Sequence, residues 1–439
     1  MTNIIWRSHP APSLSGTVRV PGDKSISHRA IMLGALADGT TRISGFLEGE
    51  DCLATMRAFQ AMGVGIAHHG AGRVTVHGVG LHGLRAPAAP LDVGNSGTSM
   101  RLLAGLLVGQ PFDSELVGDA SLMQRPMRRV TEPLALMGAA IVTSERGTAP
   151  LAIHGKPLHG IRYTLPVASA QLKSALLFAG LYAEGTTFIT ETGVSRDHSE
   201  RMLRGFGVEV RQDGATLAIR GGQRLTARDV VVPGDVSSAA FFLVAALIAP
   251  EGELLLENVG MNPTRAAVVE ILRAMGGDIT VENAREAGGE PVADLRVRAS
   301  RLHGITIDEA LAPIAIDEFP IIFIAAACAE GETRATALRE LRVKESDRLA
   351  VMDAGLRALG VDCEAGEDTM RIRGKAGAAF TGGQVASHGD HRIAMGFAVA
   401  ALRAAAAVEI ADCANVATSF PTFRALAQGV GMQIEESHA

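Results

Sequence analysis

A helix that ends at a glycine and leads directly into a short strand recurs six times along this chain. The copies read MRAFQAMGVGI, TEPLALMGAAIV, RMLRGFGVEV, VVEILRAMGGDITV, MDAGLRALGVDC and FRALAQGVGMQI. In each copy apolar residues at helical spacing precede the glycine and a β-like run follows it, as in a helix with a left-handed C-terminal cap. The pattern predicts left-handed backbone at six glycines: Gly63, Gly138, Gly207, Gly276, Gly360 and Gly431.

A second helix and strand precede each copy, so the repeating unit reads helix, strand, loop, helix, strand. Helices rich in small residues run into a turn and a strand, as in LGALADGTTRISG, AGLYAEGTTFITE and AALIAPEGELLLEN. Chance recurrence in a chain rich in Gly and Ala is a poor alternative, because the two elements stay in phase over six units. With 439 residues, 47% of them hydrophobic, the chain can form two large α/β or α+β domains.

Two identical VPGD stretches divide the six units into two sets of three. They begin at Val20 and Val232, and each is followed by small residues and an apolar run of helical character. A Pro-Gly pair supplies an abrupt turn, and the Asp that follows it can cap a helix. We therefore predict two similar three-unit domains: residues 22–232 as an insert, and residues 1–21 with 233–439 as the second domain. The strand SGTVRV of the lead is expected in the second domain.

Polar residues collect at two places in these units: the start of the first helix and the loop after its strand. GDKSISHR, GNSGTSMR and HGDHRIAM are examples of the first place, and TGVSRDHSE and LRVKESDR of the second. Equivalent ends of repeated units face the same way, so two domains placed face to face would gather these segments at one interdomain cleft. Helix N-termini attract anions, and nine cations lie on these segments: Lys24, Arg29, Arg101, Arg125, Lys173, Arg196, Lys344, Arg348 and Arg392.

This concentration of cations predicts a pocket for a small ligand that bears several phosphates or carboxylates. The formal net charge of the whole chain is −6, which argues against a general polyanion-binding surface. Aromatic residues make up 4% of the chain, too few for the stacking platforms that bind single-stranded nucleic acid. We expect small-molecule substrates and no nucleic-acid partner.

The sequence also disfavours membranes, disulfides and metals. Its longest apolar runs, such as residues 239–249, fall short of the roughly 18–20 residues that span a bilayer, and the lead lacks the apolar core of a signal peptide. The cysteines lie far apart, with no CxxC pair, which is typical of buried thiols in a reducing compartment. They are Cys52, Cys328, Cys363 and Cys413. We expect a cytoplasmic protein with neither a metal site nor a membrane partner.

Two motifs resemble nucleotide-binding loops but fail in detail. Asp23 stands between Gly22 and Lys24, so the Gly-Lys-Ser of a P-loop is missing. The GVGLHG stretch leads into LRAPAAP, which cannot form a helix, and is therefore expected in a hairpin or loop. A third motif, AIDEFPIIF, has two possible roles. Asp317 and Glu318 could cap the helix that follows them, or one of them could be a catalytic carboxylate.

Taken together, these segments resemble the enolpyruvyl transferase family over essentially the whole chain. PGDKSISHR, GNSGTSMR, GDASLMQRP, ASAQLKS, SRDHSE, IDEFP, LRVKESDRL and GDHRIAM occur in the family's order. The resemblance implies an α/β (α+β) fold of two domains, each with three βαβαββ units. Helices would lie inside and sheets outside, an inside-out α/β barrel, with the active site in the interdomain cleft.

The resemblance is greatest to the branch of that family that acts in the shikimate pathway of aromatic amino-acid biosynthesis. Its reaction joins phosphoenolpyruvate to the 5-hydroxyl of shikimate 3-phosphate and releases phosphate. The reaction proceeds by addition to a tetrahedral intermediate and then elimination, with no cofactor. We expect this activity, these two substrates and a monomeric protein.

The resemblance also implies a role for each matching residue. Asp317 would take the proton of the acceptor hydroxyl, Glu345 would protonate the methylene carbon, and Lys24 would assist both substrates as a third catalytic residue. Shikimate 3-phosphate would be bound by Lys24, Ser25, Arg29, Ser169, Ala170, Gln171, Arg196, Asp317 and Lys344. Phosphoenolpyruvate would be bound by Lys24, Asn95, Gly97, Arg125, Gln171, Arg348 and Arg392.

Three positions bear on variation within the family. Thr418 stands where some members carry Lys, and Glu340 stands where an Asn sometimes occurs. Gly97 is kept where members tolerant of glyphosate carry Ala, although other motifs resemble that tolerant subgroup. Glyphosate competes with phosphoenolpyruvate in this family and is the longer molecule, so the resemblance makes this chain a glyphosate target.

Two alternative functions remain open at the level of sequence. The first is the sister enzyme that transfers enolpyruvyl to UDP-N-acetylglucosamine; most of its members carry a Cys ahead of the Arg-Pro pair, whereas GDASLMQRP has Ala120 near that place. The second is an anion-binding module without catalysis. The presence of Asp317, Lys344 and Glu345 argues against that module.

Overall fold

The computed structural model describes residues 4–438, which divide into two compact units. The first unit comprises residues 22–232 together with 287–289, and the second comprises residues 4–21, 233–286 and 290–438. The chain therefore leaves the second unit after Pro21 and returns to it at Pro233, within the two VPGD stretches. Residues 1–3 and 439 of the predicted second domain lie outside the described residues.

Helices of two kinds alternate along the first unit. The odd-numbered helices are buried over nearly their whole length, whereas the even-numbered ones keep an exposed face. The helices are α1 Lys24–Leu36, α2 Glu50–Ala61, α3 Gly97–Leu107, α4 Arg128–Leu136, α5 Ala170–Gly180 and α6 His198–Gly205. Close packing between the buried helices depends on small residues: a Cβ on Gly105 of α3 would lie 2.2 Å from the carbonyl oxygen of Ala175 in α5.

The strands of the first unit form three similar sheets. In each sheet a short strand pairs in parallel with the strand that follows a buried helix, and the remaining neighbours are antiparallel. The first is ordered Leu225–Thr226, Ala37–Ser44, Arg73–Val79, Gly65–Gly70, with Val230–Val231 also on Ala37–Ser44. The second is Leu91–Asp92, Asp113–Val117, Leu151–His154, Ala140–Val142, and the third is Arg162–Thr164, Thr186–Thr190, Thr216–Arg220, Val210–Asp213. Leu158–His159 and Ala183–Glu184 form a separate pair.

The second unit repeats this plan with six further helices. They are α7 Val236–Ile248, α8 Ala267–Ala274, α9 Phe319–Cys328, α10 Arg348–Ala358, α11 His391–Ala400 and α12 Phe423–Gly429. Every residue of α7 is buried, and α9 and α11 are nearly as enclosed. These three helices pack against one another within a single hydrophobic core.

Three sheets accompany these helices. Their orders are Gly383–Ala386, Val408–Ala411, Ile4–His9, Gln433–His438; Asp278–Ala287, Glu290–Arg298, Glu251–Gly260, Ser13–Val18; and Glu332–Ala335, Met370–Arg373, Asp362–Ala365. Ser13–Val18 pairs in parallel with Glu251–Gly260, so the strand of the lead lies in the second unit as predicted. The GVGLHG stretch forms the end of Arg73–Val79 and the turn after it.

The six capping glycines confirm the repeat on which the fold prediction was based. All have left-handed backbone, with φ of 89°, 94°, 88°, 91°, 76° and 108° at Gly63, Gly138, Gly207, Gly276, Gly360 and Gly431. Because a side chain raises the energy of this conformation, glycine is the residue that ends each helix there and lets the next strand begin. The predicted α/β class, with buried helices and outer sheets, is confirmed within each unit.

Candidate active site

Polar side chains lie at or just before the starts of the buried helices of both units, and five of the six helices are capped by one. The capping atom accepts a hydrogen bond from a backbone N–H of the first turn, at 2.8–3.4 Å. The capping residues are Asp23, Ser96, Ser169, Asp235 and Asp390. These caps fix the first turn, where the partial positive charge of the helix attracts anions.

In the first unit, the starts of α3 and α5 are joined by side-chain hydrogen bonds. Arg101 donates to Gln171 at 2.6 Å, and Gln171 donates to Thr98 at 3.0 Å. Beside them Arg125, from the loop that follows the strand Asp113–Val117, donates to Asn95 at 2.6 Å. The structure thus brings the predicted residues Gln171, Asn95 and Arg125 into one polar cluster around the start of α3.

The start of α1 carries a second group of predicted residues. Lys24 forms an ion pair with Asp51, the second residue of α2. Arg29 is 3% exposed and donates to Ser174 at 2.7 Å and to Ser199 at 2.6 Å. Arg29 therefore ties α1 to α5 and α6 from inside the unit. Asp51 was not among the residues predicted from the sequence, although it lies in the loop and helix start that follow the strand Ala37–Ser44.

Three other predicted residues of this unit lie at the start of α5 or in the loop before α6. Ser169 caps α5, and Ala170 is its first residue. Arg196 is half-buried in the loop that joins Thr186–Thr190 to α6. Ser25 contributes its carbonyl oxygen to Arg29 at 3.0 Å.

His28, one residue before Arg29, is a fully buried imidazole that the predicted site did not include. Its Nδ1 lies 2.8 Å from Thr55 Oγ1 and 3.4 Å from Ser99 Oγ, which links α1, α2 and α3. Burial, with the nearby charges of Lys24 and Arg29, holds the pKa of His28 well below its ordinary value. The folded protein therefore contains this imidazole in its neutral form near neutral pH.

This buried imidazole should make the protein lose stability in mild acid. Because the pKa is lowered on folding, the unfolded chain binds the proton first, and stability falls as the pH drops below about 6.5. One such proton contributes up to about 1.4 kcal/mol per pH unit. His28→Asn keeps an Nδ donor for Thr55, so the difference in urea midpoint between pH 7.5 and pH 5 should shrink in this variant. His303→Asn, at an exposed histidine, should leave the difference unchanged. The same difference in urea midpoint in wild type and both variants would contradict this role of His28.

In the second unit a single guanidinium, that of Arg348, gathers the predicted catalytic groups. It lies 3.2 Å from Asp317, 2.6 Å from Glu345 and 2.8 Å from Asp390, and its side chain is 1% exposed. Burial alone would lower the pKa of Arg348, but the three carboxylates raise it above its ordinary value, so the group stays charged. Lys344 lies 3.3 Å from Asp317. Asp317, Lys344 and Glu345 are thus brought together as the sequence predicts.

Asp317 and Glu318, which the sequence left open, have different surroundings. Glu318 occupies the N-cap position of α9 without a capping hydrogen bond, and its buried carboxylate accepts a hydrogen bond from Ser237. The carboxylate of Asp317 is 14% exposed and lies between Lys344 and Arg348. A capping role for Glu318 is therefore wrong, and the more accessible Asp317 is the candidate for chemistry.

Arg392, at the start of α11, contacts both residues of this pair. It donates to the carbonyl oxygen of Asp317 at 3.0 Å, and its guanidinium lies 3.9 Å from the carboxylate of Glu318. The two positions that depart from the family pattern lie in the same unit. Thr418 donates to the carbonyl oxygen of Asn415, and Glu340 lies in the short 3-10 helix Arg339–Val343.

The structure gives two further findings on metals and thiols. Among residues 4–438, no three His, Cys, Asp or Glu side chains lie close enough together to hold a metal ion. All four cysteines are free, and burial raises the pKa of the thiols of Cys328, Cys363 and Cys413 to about 12. Those three thiols are therefore protonated at neutral pH and poor nucleophiles. Within the same described range, no helix is long and apolar enough to cross a membrane.

Two units of repeated helices and strands, with cations and carboxylates at the starts of their buried helices, define the class of the enolpyruvyl transferases. The match can be made more specific, because the model of the EPSP synthase (3-phosphoshikimate 1-carboxyvinyltransferase) family covers residues 9–426. The chain belongs to this family, which confirms the resemblance predicted from its motifs.

Individual relatives agree with the family assignment. The chain is 64% identical to the 3-phosphoshikimate 1-carboxyvinyltransferase of Alkalilimnicola ehrlichii, over 98% of this chain and 96% of the relative. It is 65% identical to the enzyme of the same name from Halorhodospira halophila, over 98% and 97% of the two chains. The solved structure of EPSP synthase from Acinetobacter baumannii superposes with a TM-score of 0.89 at 53% identity and covers 100% of both chains. These relatives support the EPSP synthase reaction over the UDP-sugar alternative.

Proposed function

We propose that this chain transfers the enolpyruvyl group of phosphoenolpyruvate to the 5-hydroxyl of shikimate 3-phosphate and releases inorganic phosphate. Membership in the EPSP synthase family makes it an enolpyruvyl transferase of the shikimate pathway. The observation that best supports the proposal is one cluster of charges, in which Arg348 pairs with Asp317 and Glu345 and Lys344 pairs with Asp317. Such a set supplies a proton acceptor, a proton donor and the positive charge that a phosphate leaving group requires.

The acceptor would be bound mainly through its phosphate by the first unit. We assign this role to the starts of α1 and α5, with Arg196 from the adjacent loop, because N–H groups and cations there favour a dianion. Arg29 is enclosed by Ser174 and Ser199, so it would hold the main chain at Ser25 in place. The residues proposed for this ligand are Lys24, Ser25, Arg29, Ser169, Ala170, Gln171 and Arg196, with Asp317 and Lys344 from the second unit.

Phosphoenolpyruvate would be bound by cations of both units. Asn95 and Arg125 are already hydrogen bonded to each other beside Gly97, and Arg392 lies at the start of α11. Arg348 would act mainly through the carboxylates that it holds, since its guanidinium is 1% exposed. The proposed set is Lys24, Asn95, Gly97, Arg125, Gln171, Arg348 and Arg392.

The chemistry has two successive steps, an addition and an elimination, and protons move in both. In the addition, the 5-hydroxyl oxygen attacks C2 of phosphoenolpyruvate and gives its proton to Asp317, while Glu345 donates a proton to the methylene carbon, which becomes a methyl group. In the elimination, the methyl group returns a proton to the Glu345 carboxylate, the C=C double bond forms again, and the bond from C2 to the phosphate oxygen breaks with its electron pair leaving on the phosphate. Lys24 would stabilise the negative charge on the departing phosphate.

A phosphate-release assay with two acceptors tests this proposal. The purified chain with phosphoenolpyruvate should release phosphate when shikimate 3-phosphate is added, and mass spectrometry should detect the enolpyruvyl ether. UDP-N-acetylglucosamine should give no release, and a chelator should have no effect on the rate. Release only with the UDP-sugar, or with neither acceptor, would overturn the proposed function.

The environment of Gly97 yields a prediction about inhibition. A Cβ on this residue would lie 3.0 Å from Arg101 Nη1 and 3.3 Å from Arg125 Nη1, so an alanine would press on both guanidinium groups. Added volume of this kind costs about 1–3 kcal/mol, or roughly a 5- to 150-fold loss of affinity. We expect the parent protein to be sensitive to glyphosate. Gly97→Ala should weaken this longer ligand far more than it raises the KM for phosphoenolpyruvate.

The measurement for this prediction is the inhibition constant of glyphosate and the KM of phosphoenolpyruvate in both proteins. The matched control is Gly94→Ala, in the loop that leads into α3, where a Cβ would meet nothing within 4 Å but φ is 59°. Gly94→Ala should act on stability through its backbone and not discriminate between the two ligands. Equal loss of both ligands in Gly97→Ala would show that the side chain acts on the guanidinium groups alone.

We further propose that the protein acts in the cytoplasm as a monomer. Free thiols with raised pKa values fit a reducing compartment, where cysteines persist unpaired. Light scattering across a range of protein concentrations tests the oligomeric state. A mass of 45.7 kDa at every concentration is the expected result, and a doubled mass would contradict it.

A further inference from the structure

Lys173, in the first turn of α5, is the most enclosed cation of the first unit and lies outside the set of ligand-binding residues. Its side chain is 0% exposed. Its ammonium Nζ is 3.1 Å from both carboxylate oxygens of Glu191 and 2.6 Å from Glu200 Oε1. It also donates to the carbonyl oxygen of Ser195 at 3.5 Å. We call these four residues the Lys173 cluster.

Burial of the charged groups in the Lys173 cluster costs free energy, so their pairing indicates what keeps each of them in place. A desolvated ammonium or carboxylate is stable only when it is paired. Here one ammonium serves two carboxylates that are 15% and 3% exposed, and Glu200 Oε2 is buried without a hydrogen-bond partner in the part of the chain that the structure describes. Lys173 is thus the cation that makes both Glu191 and Glu200 tolerable at these positions.

The elements that this ammonium joins enclose the loop of Arg196. Glu191 directly follows the strand Thr186–Thr190, and Glu200 lies in the first turn of α6, so the two carboxylates stand at the two ends of the loop. Between them Ser195 is held twice: its hydroxyl donates to Glu191 at 2.6 Å and its carbonyl oxygen accepts from Lys173. Arg196 is the next residue. The position of its main chain is therefore set by the Lys173 cluster.

A neighbouring set of contacts strengthens this link. Ser174, next to Lys173 on α5, is 2.6 Å from Ser199, next to Glu200 on α6, and Arg29 donates to both hydroxyls. The start of α6 is consequently fixed to α5 at two successive positions. The loop between them has little freedom while both links are intact.

We propose that Lys173 is a positioning residue for the acceptor's phosphate: it holds the loop that presents Arg196. The proposal rests on the proposed function, in which Arg196 binds the phosphate of shikimate 3-phosphate. Because the ammonium is enclosed by protein groups, Lys173 touches neither substrate and acts through the loop. Its removal should impair binding of the acceptor selectively.

Four variants separate this role from a general loss of structure. Lys173→Met removes the ammonium at similar volume, and the double variant Lys173→Met with Glu200→Gln also removes one of the carboxylates left behind. Ser195→Ala deletes the hydrogen bond from the loop hydroxyl to Glu191 and leaves the ion pairs of Lys173 in place. Lys156→Met, at an exposed lysine of the same unit, is the matched control.

The first readout is steady-state kinetics with each substrate varied in turn. In Lys173→Met the KM for shikimate 3-phosphate should rise by roughly 10- to 100-fold, the scale expected from misplacing a binding group by about 1 Å. The KM for phosphoenolpyruvate should stay near the wild-type value. The double variant should recover part of the loss, and Ser195→Ala should raise the same KM by about 2- to 12-fold, as expected for one hydrogen bond. Lys156→Met should match wild type.

The second readout does not depend on activity. Trypsin cleaves after arginine in mobile loops, so cleavage after Arg196, identified by mass, should be faster in Lys173→Met and Ser195→Ala than in Lys156→Met. If wild type releases no phosphate with shikimate 3-phosphate, the proposed function fails, and the trypsin rates still decide whether Lys173 holds the loop. Equal rises of both KM values, or unchanged cleavage after Arg196, would overturn the proposal. Should Lys173→Met fail to fold, Ser195→Ala decides by the same two readouts.

Discussion

Replacing Asp317 with asparagine should lower kcat by about 10²- to 10⁴-fold, the range that a positioned general base contributes. The side chain keeps its shape in this variant but loses the ability to accept the proton of the acceptor hydroxyl. Its surroundings favour an intact fold, because the amide oxygen can still meet Lys344 and Arg348, which lie 3.3 Å and 3.2 Å from the carboxylate. The measurement is kcat and both KM values, together with the unfolding midpoint.

The matched control is Asp308→Asn, at an exposed carboxylate that caps a short 3-10 helix earlier in the same segment. Asparagine caps as well as aspartate, so this variant should keep wild-type kinetics and stability. A near-normal kcat in Asp317→Asn would show that another group takes the proton. A change confined to the KM for shikimate 3-phosphate would make Asp317 a binding residue instead.

The repeat explains why so much of the fold could be predicted. A glycine with left-handed backbone is a local requirement, and it can be identified from one helix and one strand without knowledge of distant contacts. Six such sites, from Gly63 to Gly431, gave the periodicity, and the two VPGD stretches gave the points at which the chain changes units. Short strands such as Leu91–Asp92 were harder to predict, because two residues carry no periodicity.

The candidate site was predicted less completely, since burial and pairing arise from tertiary structure. From the motifs, Arg29, Lys173 and Arg348 were all predicted to lie on polar segments and to face a ligand. The structure instead encloses their charged groups in protein contacts, with exposures of 3%, 0% and 1%. A sequence shows which residues are charged but not which charges pair: Asp390, one of the partners of Arg348, lies 42 residues away along the chain.

Arg348→Met should be the most destabilising of the substitutions considered, by about 3–5 kcal/mol, the usual cost of removing one member of a buried ion pair. The guanidinium is 1% exposed and lies 2.8 Å from Asp390, whose side chain is 0% exposed. After the substitution, Asp390 keeps two neutral donors, the hydroxyl of Ser346 at 3.1 Å and the backbone N–H of Arg392 at 3.0 Å. A buried carboxylate without a cation is the source of the loss.

The experiment compares urea denaturation of this variant with that of Arg357→Met, on the same helix α10. Arg357 pairs with Asp353 one turn away at 2.9 Å, but its side chain is 55% exposed, so solvent screens this pair and its loss should change stability little. A large difference between the two variants at equal m-values would locate the stabilisation in the buried carboxylates. Equal small losses would mean that Asp390 finds another partner, and the second unit would then depend on its apolar core rather than on Arg348.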